Sequence, residues 1–209
     1  MKGNVFGTTA FIHENSRCAV IVAHPDDETI WCGGTILLHP DSKWTILSLC
    51  RKSDTERREK FFKAVEELGA SGVIGDIDDG PEQSPQNSRD IQNTIMELLP
   101  SDKFDLIITH GIWGEYTRHL RHEETGKAVV ALWESERLFA KQVWRFAYED
   151  GGGKYPSRPI PDADVFVRLP EEIREKKYNI VTKIYGFGPE SFEAKVTGRK
   201  ETFWRFRRD

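Results

Sequence analysis

The sequence predicts an α/β fold: a Rossmann-like three-layer arrangement with a mostly parallel central sheet and a small C-terminal extension. Three observations predict it. Apolar runs recur at Cys18–Ala23, Trp44–Cys50 and Phe104–Thr109, as expected of strands covered on both faces. Segments with helical spacing lie between them, so strand and helix alternate. Clusters of ionisable residues follow the first and fourth strands, where open parallel sheets bind their ligands.

The first strand, Cys18–Ala23, ends at His24-Pro25 because proline has no amide for a ladder. A helix follows from about Glu28 to Leu38 and contains Gly33-Gly34. Each glycine costs a helix about 1 kcal/mol. The pair makes sense if the helix packs closely on the strand or presents backbone to a ligand. Trp44–Cys50 is the second strand. Ser53 and Glu56 have capping-box spacing for a helix over Asp54–Leu68, which buries Phe61, Phe62, Val65 and Leu68 and stops at Gly69.

Gly72–Gly75 is a short third strand, and Asp78-Asp79-Gly80-Pro81 is turn chemistry. Ser88 caps a helix running through Leu99. Phe104–Thr109 is the fourth strand, ending at His110. A helix over about Glu123–Phe139 and a strand at Trp144–Tyr148 follow. The Gly/Pro-rich stretch from Gly151 to Pro161 has the composition of a lid loop. A strand near Val165, a helix over about Glu171–Tyr185 and a last strand near Phe203 complete the chain. We read residues 1–209 as one domain, with a core over about 18–150 and an extension over about 151–209.

Composition narrows the function. With 38% hydrophobic and 31% charged residues, wholesale disorder is excluded. The net charge of -4 is spread over both signs, so no nucleic-acid partner is implied. The basic tail Arg205–Arg208 reads as a solvated strand end. No segment approaches the roughly 20 apolar residues of a membrane span. The stretch Met1–Phe6 has no hydrophobic signal core. Three cysteines, Cys18, Cys32 and Cys50, favour free thiols in a reducing compartment. The expectation is a cytoplasmic protein, with homo-oligomerisation open.

Two clusters carry the chemistry. The first is Ala23-His24-Pro25-Asp26-Asp27-Glu28, at the end of the first strand. Neighbouring half-buried carboxylates repel each other, and a bound cation reverses that penalty. The second runs from Gly114 to Glu124 and contains His119 and His122. In the commonest strand order the fourth strand neighbours the first, so the two loops face each other. One imidazole and one carboxylate from the first loop, plus one imidazole from the second, make a three-ligand site with room for water. That donor set suits zinc better than magnesium.

Ala-His-Pro-Asp-Asp-Glu followed by Gly-Gly in the next helix resembles the PIG-L/LmbE-like family of zinc-dependent N-acetylglucosamine deacetylases. Arg57-Arg58-Glu59 leading to Leu68-Gly69, Leu106–His110 and the His119/His122 pair extend the resemblance over roughly residues 18–130. It implies an N-deacetylase acting on a small-molecule amino-sugar conjugate. His24, Asp27 and His122 would bind Zn2+, with Fe2+ or Mn2+ as other candidates. Asp26 would be the general base, and His119 would stabilise the tetrahedral intermediate and perform acid chemistry. Arg57, with Arg58 as its near rival, would contact substrate. The extension would shape the substrate pocket.

One departure stands out. The family's second motif usually reads His-Pro-Asp-His, and here it is His119-Leu120-Arg121-His122. The missing Asp normally orients the first histidine. Arg121 points to solvent or binds an anionic part of the substrate. His110 reads as a core residue or as a support for the site. Asp78-Asp79 contacts a sugar or makes a turn. Trp113 and Tyr116 form an aromatic platform or pack the loop. Two other functions compete: a magnesium phosphoesterase built on Asp26, Asp27 and Asp76, and a non-catalytic sugar-binding module.

Overall fold

The computed structural model describes residues 12–117 and 119–208. The Met1–Phe6 segment and Arg118 lie outside the described residues. The first strand, β1 (Arg17–Val22), alternates its side chains between two cores. Cys18, Val20 and Val22 face one, and Ala19 and Ile21 face the other. Helices α1 (Asp27–Leu37), α2 (Thr55–Glu67) and α5 (Glu171–Asn179) cover the first face. Helices α3 (Ser88–Leu98) and α4 (Leu120–Glu134) cover the second. The result is three layers, α/β/α.

The other strands are β2 (Lys43–Cys50), β3 (Ser71–Ile77), β4 (Lys103–Thr109), β5 (Phe139–Phe146), β6 (Tyr148–Glu149), β7 (Arg158–Pro159), β8 (Val165–Arg168) and β9 (Lys200–Arg207). The main sheet has the order β3-β2-β1-β4-β5-β9-β8. Strands β1 to β5 are parallel, and β9 is antiparallel to both neighbours. β6 and β7 form a separate small ribbon. β1 lies beside β4, with Ile21 opposite Thr109. Their carboxyl ends therefore release two loops side by side, at the point where the strand order reverses.

Several expected elements are corrected. Asp54, not Ser53, caps α2: its carboxylate accepts from the Arg57 amide at 2.9 Å, while the Ser53 amide and hydroxyl both go to Asp76. Aspartate caps as well as serine, so the capping box was read one residue early. Asn87 replaces Ser88 as the cap of α3 for the same reason. β3 runs to Ile77, beyond the expected Gly75. α4 begins at Leu120 and ends at Glu134, and Phe139 opens β5 rather than closing a helix. The polar residues Lys141, Gln142 and Arg145 hid this strand. The helix expected through Tyr185 stops at Asn179 and continues as one π-helical turn, Ile180–Ile184.

The Gly33-Gly34 pair is explained from the C-terminal side. A Cβ at Gly34 would lie 2.4 Å from Leu169 and 2.9 Å from Glu201 Oε1. The Gly34 and Thr35 amides donate to the buried Glu201 carboxylate at 2.8 and 2.7 Å, and Lys177 Nζ joins it at 2.7 Å. The backbone is presented to this internal carboxylate of β9. The three cysteines are free and buried.

Gly126 sets the approach of α4 to the end of β4. A Cβ there would lie 2.6 Å from the His110 carbonyl oxygen and 2.9 Å from that of Gly111, both fixed backbone atoms. Overpacking costs about 1–3 kcal/mol, against roughly 1 kcal/mol gained from alanine's helix propensity. Gly126→Ala is therefore expected to lower stability by up to about 2 kcal/mol. Chemical denaturation should register a lower midpoint with an unchanged slope.

Candidate metal centre

The loop after β1 is folded by its own polar groups. The His24 amide donates to Asp27 Oδ2 at 2.9 Å, which turns both side chains to one side. Asp26 has a φ of 118°, and its carbonyl accepts the Thr29 and Ile30 amides at 2.9 Å to begin α1. Trp31 Nε1 holds Asp27 Oδ1 at 3.0 Å. From the other loop, α4 starts at Leu120, so His122 stands in its first turn and reaches Asp27.

His24, Asp27 and His122 converge. His24 Nδ1 lies 3.2 Å from Asp27 Oδ2 and 3.2 Å from His122 Nε2, and His122 Nε2 lies 3.3 Å from Asp27 Oδ1. Zinc bonds of about 2.0–2.1 Å at tetrahedral angles separate donors by roughly 3.3 Å. The two imidazole nitrogens have that spacing, and each faces a different oxygen of Asp27 at a similar distance, so the three side chains suit a small dication. His119 adds a fourth imidazole, its ring 4.6 Å from His24 and stacked at 4.2 Å on His122. His24, His119 and His122 also form a candidate ligand cluster by themselves, as do Asp27, His110 and His122.

A carboxylate stands near the far nitrogen of each of the two candidate ligands His122 and His24. Glu115, 1% exposed, accepts from His122 Nδ1 at 2.7 Å, from His110 Nδ1 at 2.8 Å and from the Gly111 amide at 2.8 Å. This fixes the His122 tautomer that leaves Nε2 free for a metal. Asp79 Oδ1 lies 3.2 Å from His24 Nε2, at ion-pair distance but without the alignment of a hydrogen bond. Burial raises Glu115, but the His110 and His122 rings outweigh it and hold its pKa at about 2. Burial lowers His110, yet Glu115 and Asp27 lift it to about 9. Against that, the Ala23 amide donates to His110 Nε2 at 3.0 Å. An amide can only donate, so this contact decides for a neutral His110 with its proton on Nδ1. Its lone pair is then taken, which removes it from the ligand set.

Asp26 is held apart from Asp27. Arg57 Nη1 binds Asp26 Oδ2 at 3.0 Å. Burial and the Asp27 charge raise the Asp26 pKa, and Arg57 opposes them. Burial also penalises the Asp27 charge, but His122, the His24 amide and the Trp31 indole oppose it and keep that carboxyl well below its usual range. The pair is electrostatically divided: one carboxylate retains its charge, and the other is poised to take a proton. For His119, burial followed by His122 and His24 lowers the pKa to about 3. Its Nδ1 is buried without a partner among the described residues.

A cavity of about 170 Å³ opens over these groups. Arg57, Asp79, Tyr116 and His119 line it, with Trp31, Phe192 and Glu193. Arg58 and Arg121 do not. Arg58 donates to the Lys52 carbonyl at 3.2 Å. Arg121 is 1% exposed, which corrects the expectation that it meets solvent or substrate. Its guanidinium donates to the Asp78 and Ser84 carbonyls at 2.6 and 2.7 Å and pairs with Glu124. It stitches the loop carrying Asp79 onto α4. Asp76 lies in a neighbouring surface depression, bound to Ser53, so the Asp26–Asp27–Asp76 magnesium site is not assembled. Tyr116 packs edge-on to His119 and His122, whereas Trp113 is 76% exposed and lines a different cleft.

A family model described as PIG-L, GlcNAc-PI de-N-acetylase, matches residues 19–133, more than half of the chain. The chain belongs to the PIG-L family. That membership supports a hydrolase of the deacetylase type and a metal-dependent site. An uncharacterised protein of Acanthamoeba polyphaga mimivirus is 27% identical over 127 residues, covering 54% of this PIG-L chain and 56% of that protein. The matched segment thus spans little more than half of the viral protein.

Among solved structures, the A40926 pseudoaglycone deacetylase Dbv21 has a TM-score of 0.65 at 17% identity, covering 93% of this chain and 98% of that one. A deacetylase of teicoplanin biosynthesis has a TM-score of 0.62 at 16% identity, covering 93% and 99%. The 4-carboxy-2-hydroxymuconate hydratase GalB of Pseudomonas putida KT2440 has a TM-score of 0.62 at 17% identity, covering 93% and 98%. These likenesses establish the fold and leave the chemistry to the site. Among the described residues, no helix is long and apolar enough to cross a membrane.

Glu115 was overlooked in the sequence because it sits in an irregular loop with no periodicity. Its only signal was a carboxylate seven residues before His122. Removing its charge should loosen the His122 ring. Glu115→Gln is expected to weaken zinc affinity by about 10- to 100-fold, measured by calorimetric titration of metal-stripped protein.

Proposed function

We propose that the protein is a zinc-dependent N-deacetylase, removing the acetyl group from an N-acetylglucosamine-type conjugate or a related small amide. The observation that supports it is a triangle of the His24, Asp27 and His122 side chains, with His24 Nδ1 3.2 Å from His122 Nε2 and each nitrogen 3.2–3.3 Å from a different Asp27 oxygen, beside the separately held Asp26 carboxylate. Zinc at the triangle would supply Lewis acidity, which makes water nucleophilic near neutral pH and polarises the amide carbonyl.

Asp26 takes the proton from the attacking water, because its raised pKa suits a base that must later give the proton back. Arg57 aims the Asp26 carboxylate and contacts the substrate from the cavity wall. His119 faces the same cavity as a neutral imidazole. In that state it steadies the developing oxyanion by hydrogen bonding. The leaving amine then takes its proton from Asp26, since His119 has none to spare. The extension over about 151–209 contributes Phe192 and Glu193 to the cavity and so shapes substrate choice.

Zinc-loaded protein is expected to release acetate from N-acetylglucosamine conjugates. Asp26→Asn should keep the metal and lose about 10²- to 10⁴-fold in kcat. Acetate release that survives this change unaltered removes Asp26 from the mechanism. No acetate from a broad panel of acetamides would favour a sugar-binding module instead.

His119 provides a second test. With its pKa held at about 3, it is neutral at every pH above about 4, and a bound dication lowers it further. The acidic limb of the kcat/KM profile therefore belongs to another group. His119→Gln is expected to lower kcat/KM while leaving that limb at the same pH. A limb that vanishes with His119 would make it the titrating acid.

A further inference from the structure

Asp26 occupies a backbone conformation that side-chain-bearing residues seldom adopt, with φ 118° and ψ -32°. Such a conformation costs of order 1–3 kcal/mol and persists only where its surroundings enforce it. Its carbonyl contacts with Thr29 and Ile30 belong to any helix start. Its amide contact does not. Asp26 N donates to Glu28 Oε2 at 3.0 Å, and Glu28 is completely buried. The other oxygen of Glu28 accepts from Tyr185 Oη at 2.8 Å and from Thr29 Oγ1 at 2.5 Å. A carboxylate placed there only to favour the start of α1 needs solvent, not a tyrosine 157 positions along the chain.

Tyr185 is itself 3% exposed and follows directly on the π-helical turn Ile180–Ile184. Such turns are rare and recur at functional sites. Two residues later, Phe187 lies beneath the Arg57 guanidinium at 5.2 Å, and Arg57 grips the Asp26 carboxylate. One short C-terminal stretch thus supports Asp26 twice, through its amide and through its side chain.

We propose that Tyr185, acting through Glu28, is a positioning residue for Asp26: its hydroxyl fixes the Glu28 carboxylate, which holds the Asp26 amide and so aims the Asp26 side chain at the reacting water. The claim rests on the reading of Asp26 as general base, and its geometric part can be judged without that reading.

The test compares Tyr185→Phe with Tyr148→Phe in zinc-loaded protein. Tyr148 also gives a buried hydroxyl to α1, at the Trp31 carbonyl 3.3 Å away, but makes no contact with Glu28. Tyr185→Phe is expected to lower kcat by about 10- to 100-fold with KM changed less than about 2-fold and zinc stoichiometry unchanged. Tyr148→Phe is expected to keep kcat. Glu28→Gln should reproduce the Tyr185→Phe signature, and serves alone if Tyr185→Phe does not fold. Unchanged kcat in Tyr185→Phe and Glu28→Gln, equal losses in Tyr185→Phe and Tyr148→Phe, or a rise in KM alone would overturn the proposal. If the unmutated protein releases no acetate at all, the deacetylase reading fails by itself. Crystal structures then decide the positioning claim: Asp26 leaving its left-handed conformation in Tyr185→Phe or Glu28→Gln supports it, and Asp26 unmoved in both defeats it.

Discussion

Asp27 is a carboxylate only 3% exposed, and both its oxygens are committed. Oδ2 takes the His24 amide and faces His24 Nδ1 and His110 Nε2 at 3.2 and 3.4 Å. Oδ1 takes the Trp31 indole and faces His122 at 3.3 Å. An isolated charge buried this deeply would neutralise itself. Here the surrounding donors keep it ionised, and a dication would do so more strongly. This one requirement explains why so many polar groups meet at the β1–β4 junction. Glu115 accepts from the far nitrogens of His110 and His122, and Asp79 stands 3.2 Å from that of His24. The site is a set of nested hydrogen bonds with Asp27 at the centre.

The C-terminal strands belong to the same construction. β9 extends the sheet beyond β5 and delivers Glu201 under α1, where Lys177, Gly34 and Thr35 satisfy it. A buried ion pair is a weak source of stability unless its remaining valences are filled. This one has them filled by the backbone of the helix that begins with Asp27. The position of α1 is thereby set at two points: by the candidate metal-site loop at its start and by the Glu201 carboxylate at Gly34 and Thr35.

Much of this was legible in the sequence. β1, β2 and β4 carry mainly apolar runs because helices cover both their faces, and such runs are hard to mistake. Their order put the two ionisable loops together. The caps of α2 and α3 were misread by one residue because Ser, Asp and Asn cap equally well and adjacent candidates compete. The start of α4 was missed because His119 precedes the helix with no side-chain cap bond. β5 was cut short because its face toward solvent carries Lys141 and Arg145. The buried polar residues were the least legible. Glu115, Arg121, Lys177 and Glu201 have the composition of surface residues, and only three-dimensional pairing reveals that they are inside.

The second motif exemplifies how a local departure becomes intelligible through its neighbours. Where the family usually has Asp, this chain has Arg121, and among the described residues no carboxylate replaces the lost partner of His119: its buried Nδ1 has no hydrogen-bond partner there. Arg121 instead binds the carbonyls of Asp78 and Ser84 and the carboxylate of Glu124, while the Gln86 amide binds the same Glu124 at 2.8 Å. The loop so anchored is the one that brings Asp79 to His24 and to Arg51. A residue change that frees one histidine thus accompanies tighter support of another. A neutral His119 is suited to hydrogen bonding rather than proton delivery, and in the proposed mechanism proton transfer in both directions falls to Asp26. On that proposal the backbone beneath Asp26 matters as much as the candidate metal ligands beside it.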